Sequence, residues 1–90
     1  FELNQNYPNP FNPSTVISYQ ISKSSNVKLK IYDTLGQKVK TLVDIFETAG
    51  KHSITWNGMN DFNYHVGSGI YFYSLLTDKI YLQKKMMLIR

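Results

Sequence analysis

Residues 27–32 read Val-Lys-Leu-Lys-Ile-Tyr, with Val27, Leu29 and Ile31 on one side of an extended chain and Lys28, Lys30 and Tyr32 on the other. An apolar period of two residues builds a strand with one buried and one wet face, the mark of an antiparallel sheet. The period returns at 15–21, where Ile17, Tyr19 and Ile21 alternate with Ser18 and Gln20. Further strands are predicted at 38–46, 51–56, 69–76 and 79–90, separated by turn-rich segments such as 22–26 and 33–37, and by a long polar loop at 57–69. Gly36 supplies the positive φ that the hairpin at 33–37 needs. The parity of the strand at 38–46, with Val39, Leu42 and Val43 as expected core, breaks near Thr41, which predicts a bulge or a switch between sheets. His52, Ile54 and Trp56 fall on one face of the next strand.

No segment carries a helical period. Six or seven short strands at regular spacing predict an all-β chain, an immunoglobulin-like antiparallel β-sandwich of about seven strands with Greek-key connections. In such sandwiches a corner tyrosine stands two residues before an inward-facing position, and Tyr71 and Tyr73 fit those places. Residues 1–14, Phe-Glu-Leu-Asn-Gln-Asn-Tyr-Pro-Asn-Pro-Phe-Asn-Pro-Ser, read as a Pro/Asn-rich extended lead-in, ordered and pinned by Tyr7 and Phe11. The body of the domain is then 15–90.

With 90 residues the chain makes one domain with a thin margin of core. It has no cysteine, which excludes a disulfide scaffold, a cysteine-based zinc site and a thiol nucleophile. The net charge of +4 is moderate, and Arg90 is the only arginine among the cations. Base readers lean on the bidentate arginine fork, so nucleic acid is not an expected partner. No apolar run approaches a membrane span. A chain opening on Phe1 rather than Met reads as a piece of a larger exported protein whose N-terminal address lies elsewhere.

No catalytic constellation is legible, and the chain is expected not to be an enzyme. His52 lies on a core-facing strand position and His65 in a loop, with no serine placed to be activated by either. Asn57, Asn60, Asp61 and Asn63 make the long loop oxygen-rich. One carboxylate among three amides is little charge for calcium, so Asn57, Asn60 and Asp61 are weak metal candidates and turn formation is the favoured reading. No cofactor is expected. Tyr32, Phe62, Tyr64 and Tyr81 are the aromatics expected at the surface, either to stack on sugar rings or as ordinary rim residues. Lys84-Lys85-Met86-Met87-Leu88-Ile89-Arg90 has a cationic-apolar-cationic order, which also suits an edge strand guarded by lysines.

Five blocks in series carry a resemblance: NYPNPFNPST at 6–15, VKLKIYDTLGQKVKTL at 27–42, AGKHSITWNG at 49–58, SGIYFYSL at 68–75 and KKMMLIR at 84–90. Together they resemble the type A C-terminal sorting domain of the type IX (Por) secretion system. The middle pattern is also similar to the immunoglobulin-like domain of flagellar hook-capping proteins. The first resemblance implies a non-catalytic secretion signal that directs a larger protein across the outer membrane, with or without attachment at the cell surface. It implies as partners the outer-membrane translocon, sortase-like components, anionic lipopolysaccharide and the N-terminal cargo of the parent protein. It places recognition on Lys84, Lys85, Met86, Met87, Leu88, Ile89 and Arg90. Asn57 and Asn63 depart from the Asp and Gly frequent in that family, which weakens an inherited metal site. A strand at 79–90 would offer a receptor its unpaired main-chain edge, side chains on both faces, and three cations for acidic groups. The alternatives are an accessory polysaccharide- or surface-binding module of a secreted enzyme, and a structural spacer.

Overall fold

The computed structural model describes residues 1–90. Seven strands form without a helix: β1 (Glu2–Leu3), β2 (Thr15–Ile21), β3 (Ser25–Tyr32), β4 (Lys38–Glu47), β5 (Gly50–Trp56), β6 (Gly69–Leu76) and β7 (Tyr81–Leu88). They build an antiparallel sandwich of two sheets, one ordered β1-β2-β5 and the other β4-β3-β6-β7. The immunoglobulin-like sandwich is the fold.

The period-two faces close on each other. Ile17, Tyr19 and Ile21 from one sheet meet Val27, Leu29, Ile31, Tyr73 and Leu75 from the other in a single buried cluster. Trp56 is wholly buried, with Phe11 and Tyr71 packed on its ring at centroid distances of 5.6 and 5.5 Å. Val39, Leu42 and Val43, expected in the core, are half-buried and flank it instead. The parity break in β4 is a pair of bulges. Leu29 pairs with Val43 but Lys30 with Thr41, and Ile31 pairs with Lys40 but Tyr32 with Lys38, so Leu42 and Val39 are extra residues on the outer strand.

The corner is built as its pattern predicts. The Tyr71 hydroxyl donates to the Gly67 carbonyl at 2.7 Å, and Tyr73 faces wholly inward. In the hairpin after β3, Asp33 Oδ1 accepts the Leu35 and Gln37 amides, both at 2.9 Å, and Gly36 takes φ +80°. The final strand spans less than the predicted 79–90, because Thr77 holds residues 79–80 in a turn through its hydroxyl.

Residues 1–14 are built into both sheets rather than lying ahead of them. β1 pairs with β2, the Tyr7 backbone bridges Val16, and Phe11 then pairs in parallel with Leu88 of the other sheet. Phe11 pins the segment as expected. Tyr7 does so only through its backbone, since its side chain is 80% exposed.

Candidate functional site

The block at 84–90 is not a free edge. Met86 and Leu88 of β7 point into the core and are fully buried, while Met87, and Ile89 just past the strand, lie at the surface. The edge of β7 opposite β6 is filled by residues 5–11. Phe11 donates its amide to the Met87 carbonyl and accepts from the Ile89 amide, both at 3.0 Å. Asn9 Oδ1 accepts the Met87 amide at 3.0 Å, and Gln5 Nε2 donates to the Lys85 carbonyl at 2.8 Å. Prolines 8 and 10 have no amide proton, so this segment cannot run a continuous ladder. Asparagine and glutamine side chains supply the missing partners. The expectation that 84–90 offers an open edge for strand addition is therefore corrected: the chain already adds its own strand there.

Asn6 holds the crossing between sheets. It is buried, its side chain donates to Pro8 O at 3.1 Å and Thr15 Oγ1 at 3.0 Å, and its amide donates to the Tyr73 hydroxyl at 2.9 Å. That hydroxyl donates in turn to the Asn4 carbonyl at 2.7 Å. Burial pushes the Tyr73 hydroxyl up to about 12, against the smaller opposing pull of the Asn6 amide. A hydroxyl whose pKa is raised on folding gives stability that is whole below the ordinary tyrosine value and is lost as pH rises towards 12. Tyr73→Phe leaves the Asn6 amide buried without a partner and is expected to cost about 1–3 kcal/mol at neutral pH. The same variant flattens the alkaline loss of stability, and urea melts at neutral and alkaline pH measure both effects.

Arg90 is also committed within the fold. Its amide donates to Ser68 Oγ at 2.8 Å, Nη2 donates to the Gly58 carbonyl at 2.7 Å, and Nε donates to the Val66 carbonyl. The fork clamps the loop between β5 and β6. Gly58 sits at φ +76°, where an added Cβ would lie 2.8 Å from Arg90 Nη2 and 3.1 Å from Pro13 O. This corrects the picture of Arg90 as a cation free for an acidic receptor. Lys84 is half-buried and Lys85 exposed, and neither is ion-paired. What remains outward from the block is a patch of Lys85, Met87 and Ile89. A small hollow of about 190 Å³ opens there, lined by Asn9, Pro10, Ile70, Lys85, Met86 and Met87.

The oxygens of the long loop serve its own backbone. Asn57 Oδ1 accepts the Met59 amide, and Asn60 Oδ1 accepts those of Phe62 and Tyr64. Asp61 takes the Thr41 amide at 3.1 Å and Lys38 Nζ at 3.3 Å, thereby fastening the loop to β4. The Thr41 amide first, then Lys38, hold the Asp61 carboxyl below its usual range. Asn57 and Asn60 thus act as turn formers, and Asp61 ties the loop to β4. His52 stacks on Tyr19 at 5.5 Å, with Nε2 2.8 Å from the Thr48 carbonyl and Nδ1 3.4 Å from Glu47 Oε2. His65 lies exposed in the loop, bridging Met59 through its backbone.

Gln5, Asn9 and Gly58 take part here; Gln5 and Gly58 had not stood out in the sequence, and Asn9 only as one of the Asn-Pro turn positions. The signal for the first two was the Asn-Pro repeat itself. A segment rich in proline and still ordered needs side-chain donors and acceptors to replace its absent amides.

The sequence model of the FlgD Ig-like domain matches residues 9–79. The chain belongs to the FlgD Ig-like domain family. The match covers most of the sandwich of this FlgD Ig-like domain and stops before β7. No curated protein sequence matches the chain. Among solved structures, the domain superposes on part of dimeric latent PorU from Porphyromonas gingivalis with a TM-score of 0.77 and 20% identity, covering 98% of this chain and 9% of that one. PorZ, described as an essential surface component of the type-IX secretion system of the same organism, gives 0.68 and 22%, covering 96% and 11%. FlgD from Xanthomonas campestris, described in connection with hook capping in flagellar assembly, gives 0.67 and 20%, covering 96% and 63%. The chain thus spans about a tenth of the first two proteins.

Proposed function

We propose that this domain is a non-catalytic sorting module of a larger exported protein, read at the outer membrane by the type IX translocon and its sortase-like components. The observation that carries the reading is the seam: the two outermost of the five resembling blocks, at 6–15 and 84–90, meet in one folded surface. Likeness in fold to parts of PorU and PorZ supports it. The address is then a composite of Asn9, Pro10, Lys85, Met87 and Ile89 on an intact sandwich, not a dangling strand. The cargo precedes residue 1, and the protein passes through the periplasm to the cell surface or the medium. Anionic lipopolysaccharide is a partner in so far as the cargo is attached there.

The test is a reporter carrying an inner-membrane signal peptide fused to residues 1–90, expressed in a bacterium with type IX export. A second fusion carries Lys85→Glu, Met87→Ser and Ile89→Ser, which touch only outward side chains. Export of the first and periplasmic retention of the second, with both domains folded, is the expected result. Equal export of both removes the address from this patch. Retention of both, folded, sinks the sorting reading and leaves the hook-cap-like alternative favoured by the family match, a structural domain of an assembly.

A further inference from the structure

The outer face of the four-stranded sheet carries a feature unrelated to the seam. Tyr32 lies across from Phe72, which lies across from Lys85, while Ser74 lies across from Gln83 and Leu76 from Tyr81. The rings of Tyr32, Phe72 and Tyr81 therefore rise from three adjacent strands around Gln83. With the hairpin residues Asp33 and Thr34 they line a cleft of about 450 Å³. A second hollow of about 300 Å³, bordered by Lys84 and Lys85, shares Phe72 and Gln83 with the first, so the two form one elongated trough.

The chemistry along the trough is graded. At one end stand ring faces and groups suited to hydroxyls. Tyr81 donates its hydroxyl to Gln83 Oε1 at 2.9 Å, which orients the amide and leaves its NH₂ free to donate. Asp33 accepts the hairpin amides through Oδ1, which leaves Oδ2 as an acceptor. At the other end the charge is positive and uncommitted. Lys84 and Lys85 border the second hollow. The lysine–carboxylate pair of the molecule is Lys38–Asp61, so neither Lys84 nor Lys85 is neutralised by a carboxylate. Flat aromatic faces suit the C–H faces of pyranose rings, the amide and carboxylate suit their hydroxyls, and the lysines suit an acidic substituent.

We propose that this trough binds an acidic polysaccharide, with one sugar ring against Phe72 and Tyr81 and a neighbouring acid group at Lys84 and Lys85. The site does not depend on the sorting role and uses none of the side chains proposed to contact the translocon except Lys85. Of the aromatics expected at the surface, Tyr32 and Tyr81 belong to it. Phe62 and Tyr64 lie on the separate loop between β5 and β6, and Phe72 was not singled out in the sequence.

The test is titration calorimetry of the 1–90 domain with oligogalacturonate, with neutral cello-oligosaccharide and with poly-glutamate. Oligogalacturonate is expected to bind, and Phe72→Ala and Tyr81→Ala each to weaken it by about tenfold or more. Lys85→Gln is expected to weaken the acidic ligand alone. Both aromatic positions are exposed or half-buried, and an unchanged melting curve for each variant keeps loss of binding separate from loss of fold. Binding of poly-glutamate as tight as oligogalacturonate and insensitive to the ring variants would mean charge attraction only and overturn the site. Equal binding of the neutral sugar overturns the acidic specificity, and no heat with either sugar overturns the proposal altogether.

Discussion

Deleting residues 84–90 is expected to unfold the domain. The segment reads on paper as a tail that could be shortened, yet Met86 and Leu88 are among the most deeply buried side chains of the sandwich. Removing one such side chain to alanine costs about 2–5 kcal/mol, and a domain of this size has about 5–15 kcal/mol in all. The deletion takes both, together with more than half of β7 and the hydrogen bonds that residues 5–11 make to it. Far-UV circular dichroism and a thermal melt of residues 1–83 should show no cooperative transition. A truncated domain that still melted cooperatively would mean that β7 is dispensable and that the seam is misjudged. For any export assay the lesson is practical: a truncation that blocks secretion cannot separate a lost address from a lost fold, and outward substitutions can.

Phe11→Ala is the second large effect. The ring is wholly buried against Trp56, and its backbone supplies two of the bonds that cover β7. A buried phenylalanine cut to alanine costs about 3–5 kcal/mol. For a domain of this length that lowers the melting temperature by more than about 10 °C. The loss should also be local before it is global. The Met87 and Ile89 amides, bonded to Asn9 Oδ1 and the Phe11 carbonyl, should exchange with solvent far faster in the variant, while amides between β3 and β6 remain protected. Uniform loss of protection would show that the segment is no separate clasp but an inseparable part of the core.

The two halves of the structure differ in how far the sequence betrays them. The sheet interior was readable because period-two burial is imposed residue by residue. Ile17, Tyr19, Ile21, Val27, Leu29 and Ile31 all face in as their alternation demands. The bulged strand β4 announced itself by a broken parity at Thr41, and the corner by the spacing of Tyr71 and Tyr73. The seam was not readable in that way. Its contacts join residues about eighty positions apart through side-chain amides, and no local pattern encodes which edge an Asn-Pro segment will cover. The block at 84–90 misled for a related reason. Alternation in Met86, Met87, Leu88 and Ile89 gives no hint of which face is inside when all four are apolar, and the long reach of Arg90 to Gly58 is a tertiary fact. The aromatic trough lies between: Tyr32 and Tyr81 were visible as outward positions, but only the strand order brings Phe72 and Gln83 between them.

The parallel pairing of Phe11 with Leu88 also has a mechanical meaning. If the molecule were gripped before residue 1 and after residue 90 and drawn apart, these two segments would slide along each other. Their hydrogen bonds lie across the direction of pull, so several would have to rupture together. A hairpin pulled open at its mouth yields one bond at a time. A domain fastened at this place resists tension along its length, while the same clasp peels readily when pulled sideways, and direction as much as strength would decide whether a towing machine finds it closed or open.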